Sequence, residues 1–230
     1  MIVFSILLAF AINTAWQKHG ERQEEKRLLG ALRDEFTVNQ ERIAQIVAFH
    51  SSLRATAISL MQATTQPTAI SSDATDQLIT DVSWWGGFIS PESAALDAIV
   101  LGGKLDVIED ETLRRLLTAW RRAVSDAAAQ ETQEYDHYSR VWLPLLRAKA
   151  NLAQISNTAT TIPGIGKASG TTKMPVTLSV RDHRELLTDA EFQNALVHKV
   201  WIEDDALRAY QDLLGQLSTV RGRLEREITK

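Results

Sequence analysis

An apolar run that meets a wall of charge constrains this chain more than any other feature. Met1 to Trp16 has no charged residue and contains Ile2, Val3, Phe4, Ile6, Leu7, Leu8, Ala9, Phe10, Ala11 and Ile12. Gln17 to Arg27 is then mostly charged, with Lys18, Glu21, Arg22, Glu24, Glu25, Lys26 and Arg27. A membrane-spanning helix needs about 20 apolar residues, because the hydrocarbon core is ~30 Å thick. Sixteen residues fall short of that. The preferred reading is a transmembrane anchor that begins upstream of Met1, with Phe4, Leu7, Leu8 and Phe10 in lipid and Trp16 at the interface. Two alternatives stay open. One is a secretory signal peptide with Ala9-Phe10-Ala11 as its cleavage-type motif; the other is a buried helix of a soluble protein. A literal count of Lys18, Arg22, Lys26, Arg27 and Arg33 places the following domain in the cytoplasm, although Glu21, Glu24 and Glu25 nearly balance them.

The length, 230 residues, fits one domain, 17–230, behind an anchor at 1–16. The net charge of −4 is spread over both signs, and no basic stripe points to nucleic acid. Cysteine is absent. This excludes a thiol nucleophile, a disulfide framework and a cysteine zinc site.

The anchor is expected to run on into the first helix of the domain. Leu29, Leu32, Phe36, Asn39, Ile43, Ile46, His50, Leu53, Ala57 and Leu60 recur in steps of three and four, a heptad seam. Arg33, Glu35, Glu41 and Arg42 fall elsewhere on the surface. As one helix, Gln17 to Thr64 extends roughly 70 Å. The seam packs on helices of the same chain or, alternatively, on a second copy, with Asn39 and His50 setting register.

Thr64 to Ser72 breaks the pattern, and Asp73 to Val82 reads as a short helix. Ser90, Pro91 and Glu92 form a helix start, and Gly102-Gly103 its end. Asp110 caps a long helix that Pro144 should kink. Ser156 to Val180 reads as a long loop with a short extended piece at Val176 to Val180. Thr188 and Glu191 form a capping-box pattern for the last helical stretch. The expected fold is all-α: an N-terminal transmembrane helix continuing into an antiparallel bundle of three to four long helices.

No catalytic constellation emerges, and no cofactor or metal site is assigned. Glu134 and His137 share a helix face as in di-iron bundles, but no second Glu-x-x-His accompanies them, so a solvated polar face is preferred. The five histidines have no metal-ligand spacing. Gly164 to Gly170 lacks the Gly-Lys-Ser/Thr ending of a phosphate loop. Trp84, Trp85 and Phe88, beside Gly86 and Gly87, are the candidate ligand or partner contacts; the alternative is that they plug the end of the bundle.

Phe4 to Asn13, Trp16, Leu32-Arg33-Asp34-Glu35-Phe36 and Asn39 together resemble a bacterial family of single-pass membrane proteins of unknown function. Ser93 to Leu96, Gly103 to Ile108, Leu113 to Leu116 and Thr188 to Phe192 are similar to its middle and late motifs. The resemblance implies an inner-membrane anchor with an upstream basic segment and a domain outside the cytoplasm. It transfers no catalytic residue. The resulting expectation is a non-enzymatic module that binds the bilayer and serves partner binding, scaffolding or ligand sensing. The alternatives are a metal-binding bundle using Glu134 and His137, and a coiled-coil oligomeriser acting through Leu29 to Leu60.

Overall fold

The computed structural model describes residues 2–84, 91–159, 161–162, 166–167, 173–175 and 179–230, with backbone alone for 2–6, 8–10, 161–162 and 166–167. The chain is all-α. Its helices are α1 (Ile2–Ala63), α2 (Ser72–Val82), α3 (Ala94–Leu101), α4 (Glu111–His137), α5 (Leu143–Lys149), α6 (Leu152–Ser156) and α7 (Ala190–Ile228). Among the described residues, extended pairing is limited to a two-residue antiparallel ladder, β1 (Thr161–Ile162) on β2 (Gly166–Lys167). The extended piece expected at Val176 to Val180 does not form at Ser179 and Val180; residues 176–178 lie outside the described ones.

The apolar run does continue into the domain as one helix, since α1 is unbroken over 62 residues. Yet no helix of the described residues is long and apolar enough to cross a membrane. The apolar stretch ends at Trp16 and charge begins at Lys18. Within it, Leu7 and Trp16 are 63% and 76% exposed.

The chain divides into two compact units. The first comprises Met1–Glu41, Pro91–Ala123 and Leu214–Lys230; the second comprises Arg42–Ser90 and Val124–Leu213.

In the first unit, Leu29, Leu32 and Phe36 of α1 are buried with Leu96, Ile99, Leu113, Leu117, Leu217, Val220 and Leu224. Phe36 packs on Trp120, ring centroids 5.1 Å apart. Polar side chains here read backbone. The Asn39 amide donates to Glu92 O (2.8 Å) and accepts from Glu92 N (2.6 Å). Glu35, expected on the surface, is buried. Its carboxylate accepts from Ala95 N (2.5 Å) and Leu96 N (3.2 Å), which are orphan donors at the start of α3. Burial raises the Glu35 pKa, and the two backbone bonds partly offset this. Helix α3 therefore starts later than Ser90-Pro91-Glu92 predicted. Ser90 lies outside the described residues, Pro91 and Glu92 are not helical, and Ser93 at the cap position makes no capping bond. The α3 end is as expected: Gly103 takes φ +65°, a conformation open to glycine without penalty. Asp110 caps α4 through Leu113 N (2.6 Å) and binds Arg223 Nε (3.0 Å), which lowers its pKa to about 2.

In the second unit, Ala57, Leu60, Ile79, Val82, Trp142, Leu145, Leu146, Leu187, Phe192 and Leu196 form one apolar cluster. Every seam position from Leu29 to Leu60 is buried within the single chain, each in its own unit. The cap of α7 is Asp189, through Phe192 N (2.9 Å), one residue after the predicted Thr188. The break expected at Pro144 takes the form of a wide π-helical turn, Tyr138–Trp142, closed by Leu143 N donating to Tyr138 O. Pro144 has no N–H for the Arg140 carbonyl, and the wider turn absorbs the lost bond.

Replacing Glu35 by Ala strips α3 of its borrowed cap, so the urea midpoint should fall by the equivalent of about 1–2 kcal/mol. Ser93→Ala should leave it nearly unchanged. Equal effects of the two would show that Glu35 is not the cap.

Candidate functional site

The second unit buries a group of charged side chains that a solvated helix face does not explain. Glu134 of α4 and Glu203 of α7 are 1% and 0% exposed, and Lys199 of α7 is 4% exposed. Lys199 Nζ lies 2.7 Å from Glu134 Oε1 and 2.7 Å from Glu203 Oε1. Its third contact is the carbonyl oxygen of Trp84, at 3.2 Å. The other oxygen of Glu203 lies 2.7 Å from His50 Nδ1 of α1. The His50 ring stacks on Tyr210 (5.5 Å, 18°), and the Tyr210 hydroxyl donates to Glu131. Three helices thus meet in one polar network.

The chain places these groups by simple periodicity. Phe192, Leu196, Lys199, Glu203, Ala206 and Tyr210 follow one another in steps of three and four, so the lysine and the glutamate sit on the apolar stripe of α7. Glu131, Glu134 and His137 do the same on α4, three residues apart.

Burial sets the protonation states. For Lys199, burial alone would expel the proton, but Glu203 and Glu134 outweigh it and the pKa rises. Burial raises the Glu134 pKa, against the pull of Lys199 and with the added repulsion of Glu203. Glu203 is also pushed upward by burial, yet the charge of Lys199 and the bond to His50 bring it below the ordinary value. Glu203 is therefore the firm anion of the pair. Burial first, and the Glu131 carboxylate second, raise the Tyr210 pKa and keep its phenol a donor.

His137 lies outside this group. Its Nδ1 is 3.0 Å from His198 Nδ1, while its buried Nε2 has no partner. Burial and then the neighbouring His198 and Lys199 lower its pKa to about 4. Glu134 and His137, paired in the sequence reading, are buried rather than solvated, and they serve different partners.

His50, Glu134 and Glu203 bring three potential ligand atoms within 4.8 Å of one another. The Lys199 ammonium, bonded to both carboxylates, supplies the positive charge that a metal would bring there. Neither Lys199 nor Glu203 was singled out from sequence. The available signal was two charges at i and i+4 on an otherwise apolar stripe.

A cavity of about 410 Å³ shares Trp84 with this network. Trp84, Tyr138, Leu143, Leu146, Leu152, Ile155 and Met174 line it together with Thr80, Ser83 and Ser156, whose hydroxyls join the Tyr138 phenol and the Trp84 indole as polar side-chain groups. Thr80 donates to Ile155 O (2.7 Å) and meets Thr158 Oγ1 at 2.6 Å, while Ser83 donates to Ile79 O (2.5 Å) and accepts from Trp142 Nε1 (2.8 Å). Of the aromatic trio, Trp84 lies on this cavity; Trp85 and Phe88 lie outside the described residues. Comparison of the chain with protein-family models, curated proteins and solved structures finds no match.

Lys199→Met leaves two buried carboxylates uncompensated and should cost about 3–5 kcal/mol in urea unfolding. The loss should shrink on acidification, as the carboxylates take up protons. A loss independent of pH would mean that packing, not charge, is what Lys199 supplies. His137 gives a second pH signature. Its folded pKa lies below the ordinary 6.5, so the unfolded chain takes up the proton first and stability falls as pH drops from about 6.5 to about 4. His137→Gln should flatten the stability–pH curve across that window; an unchanged slope would show that other groups set it.

Proposed function

We propose that this chain is a membrane-anchored, non-enzymatic helical module that senses a small, neutral, apolar ligand. The observation that carries this reading is the cavity beside Trp84. Its volume of about 410 Å³ is in the range of small-molecule sites. None of its lining residues is ionisable at neutral pH, so a charged ligand would lose hydration and gain no counter-charge. Trp84 also carries a buried indole N–H without an acceptor, which a ligand oxygen would satisfy.

Two links make the cavity suited to sensing. The Trp84 carbonyl is held by Lys199, and Tyr138 directly follows His137. A ligand that displaces the Trp84 ring therefore acts on the buried network, and one that displaces Tyr138 acts on the neighbouring His137–His198 pair. The anchor reading draws support from Leu7, Ile12 and Trp16, large apolar side chains that all stay exposed on α1. Lipid is the natural cover for such a helix. We place the domain on the outer side of a bacterial inner membrane, following the family resemblance. A protease-accessible tag at Lys230 on spheroplasts checks this, and a protected tag would reverse the orientation.

The ligand reading is tested with 1-aminoanthracene, a neutral fluorescent apolar probe. It is titrated into the full chain in nanodiscs, with empty nanodiscs as blank. A saturable component is expected that disappears in Ala159→Trp, which fills the cavity wall. Absence of that component in the parent chain, or its persistence in the variant, would remove the cavity as the site.

A further inference from the structure

The first unit holds a second recess, of about 340 Å³, lined by His19, Arg22, Gln23, Glu25, Lys26, Leu29, Glu109, Glu227 and Lys230. We infer that it holds the headgroup of a membrane phospholipid bearing a primary ammonium, phosphoethanolamine; this rests on the anchor reading above.

Position is the first argument. His19, Arg22 and Lys26 follow one another in steps of three and four, so they share one face of α1. They come three, six and ten residues after Trp16. At ~1.5 Å rise per residue, that is about 5, 9 and 15 Å beyond the interface. Helical side chains lean toward the N-terminus, so Arg22 and Lys26 reach back toward the apolar run. The polar zone of each leaflet is roughly 5–8 Å deep, within their reach.

Charge is the second. Among the described residues, Arg22 and Lys26 have no ion-pair partner, although carboxylates line the same recess. Glu227 is engaged by Lys230 (2.7 Å) and Arg223 (3.5 Å), and one oxygen of Glu25 accepts from Glu109 N (2.7 Å). What remains in the recess is two cations without an ion-pair partner, the carboxylate of Glu109 and the second oxygen of Glu25. A phosphodiester suits the cations, and an ammonium suits the carboxylates. The pairing also selects among headgroups. A glycerol headgroup brings its phosphate but no cation for the carboxylates. A choline headgroup brings a cation with no N–H to donate.

The test uses the full chain in mild detergent with equimolar phosphatidylethanolamine, phosphatidylglycerol and phosphatidylcholine, and native mass spectrometry to count retained lipid. Phosphatidylethanolamine should be enriched roughly tenfold over phosphatidylcholine, the ratio expected for one charge-assisted contact. The double variant Glu25→Gln, Glu109→Gln, which removes the carboxylates that take the ammonium, should bring the two lipids to parity, whereas Arg22→Ala with Lys26→Ala should lower retention of both alike. Soluble O-phosphoethanolamine, which lacks the acyl chains, should compete only at far higher concentration. Equal retention of the three lipids, or a preference that survives Glu25→Gln with Glu109→Gln, overturns the inference. So does competition by O-phosphoethanolamine at the lipid's own concentration, because the ligand would then be the free headgroup. Flotation with vesicles separates this from failure of the anchor. A chain that floats without lipid preference loses only the headgroup site, whereas a chain that does not float loses both readings.

Discussion

The second unit depends on a buried ammonium. Lys199 is charged inside a helical core, where an unpaired cation would cost several kcal/mol. It is tolerable because Glu134 arrives from another helix, Glu203 from one turn along its own, and the Trp84 carbonyl from the segment after α2. The partners cannot be exchanged. Sliding α4 against α7 by one turn, about 5.4 Å, would strand a carboxylate and an ammonium in apolar surroundings. An all-leucine interface would pack in several registers, but this one has a single low-energy register. The antiparallel sequence of contacts, Glu131 with Tyr210, Glu134 with Lys199 and His137 with His198, follows from that restriction.

The first unit reaches the same end by different chemistry. Its buried polar groups bind backbone rather than each other. Asn39 offers both a donor and an acceptor to Glu92, and Glu35 offers two acceptors to the start of α3. Such contacts fix a chain crossing without requiring a partner side chain. They explain why the segment before α3 carries no cap of its own.

This difference decides what was legible in the sequence. The seam from Leu29 to Leu60 was readable because burial repeats with the helical period, and all of it is buried. Asp110 as a cap and Gly102-Gly103 as a stop were readable because the groups involved are neighbours in sequence. The start of α3 was misread because its cap comes from Glu35, some sixty residues earlier. The α7 cap was misplaced by one residue, since Thr188 and Asp189 are both competent and a 3-10 turn ending at Thr188 leaves the role to Asp189. The buried network was misread as solvated, because a polar side chain in a periodic pattern looks the same whether it meets water or another buried charge. His50 was visible as a polar seam position, but its partner Glu203 is 153 residues away.

The cavity follows from the same local chemistry. Pro144 removes a donor from α4, and the π-helical turn that compensates rotates the side chains beyond it relative to a regular helix. Tyr138, Leu143 and Leu146, set at or after that turn, become wall residues of the cavity. Trp142, inside the turn, faces the core instead, donating to Ser83 Oγ at 2.8 Å and packing on Phe192. Leu146 belongs to both, lining the cavity while packing in the same apolar cluster as Trp142. Pro144, just after the turn, stands in the chain between the wall residues Leu143 and Leu146. Lys199, by holding the Trp84 carbonyl, keeps the opposite wall in register with the charged network.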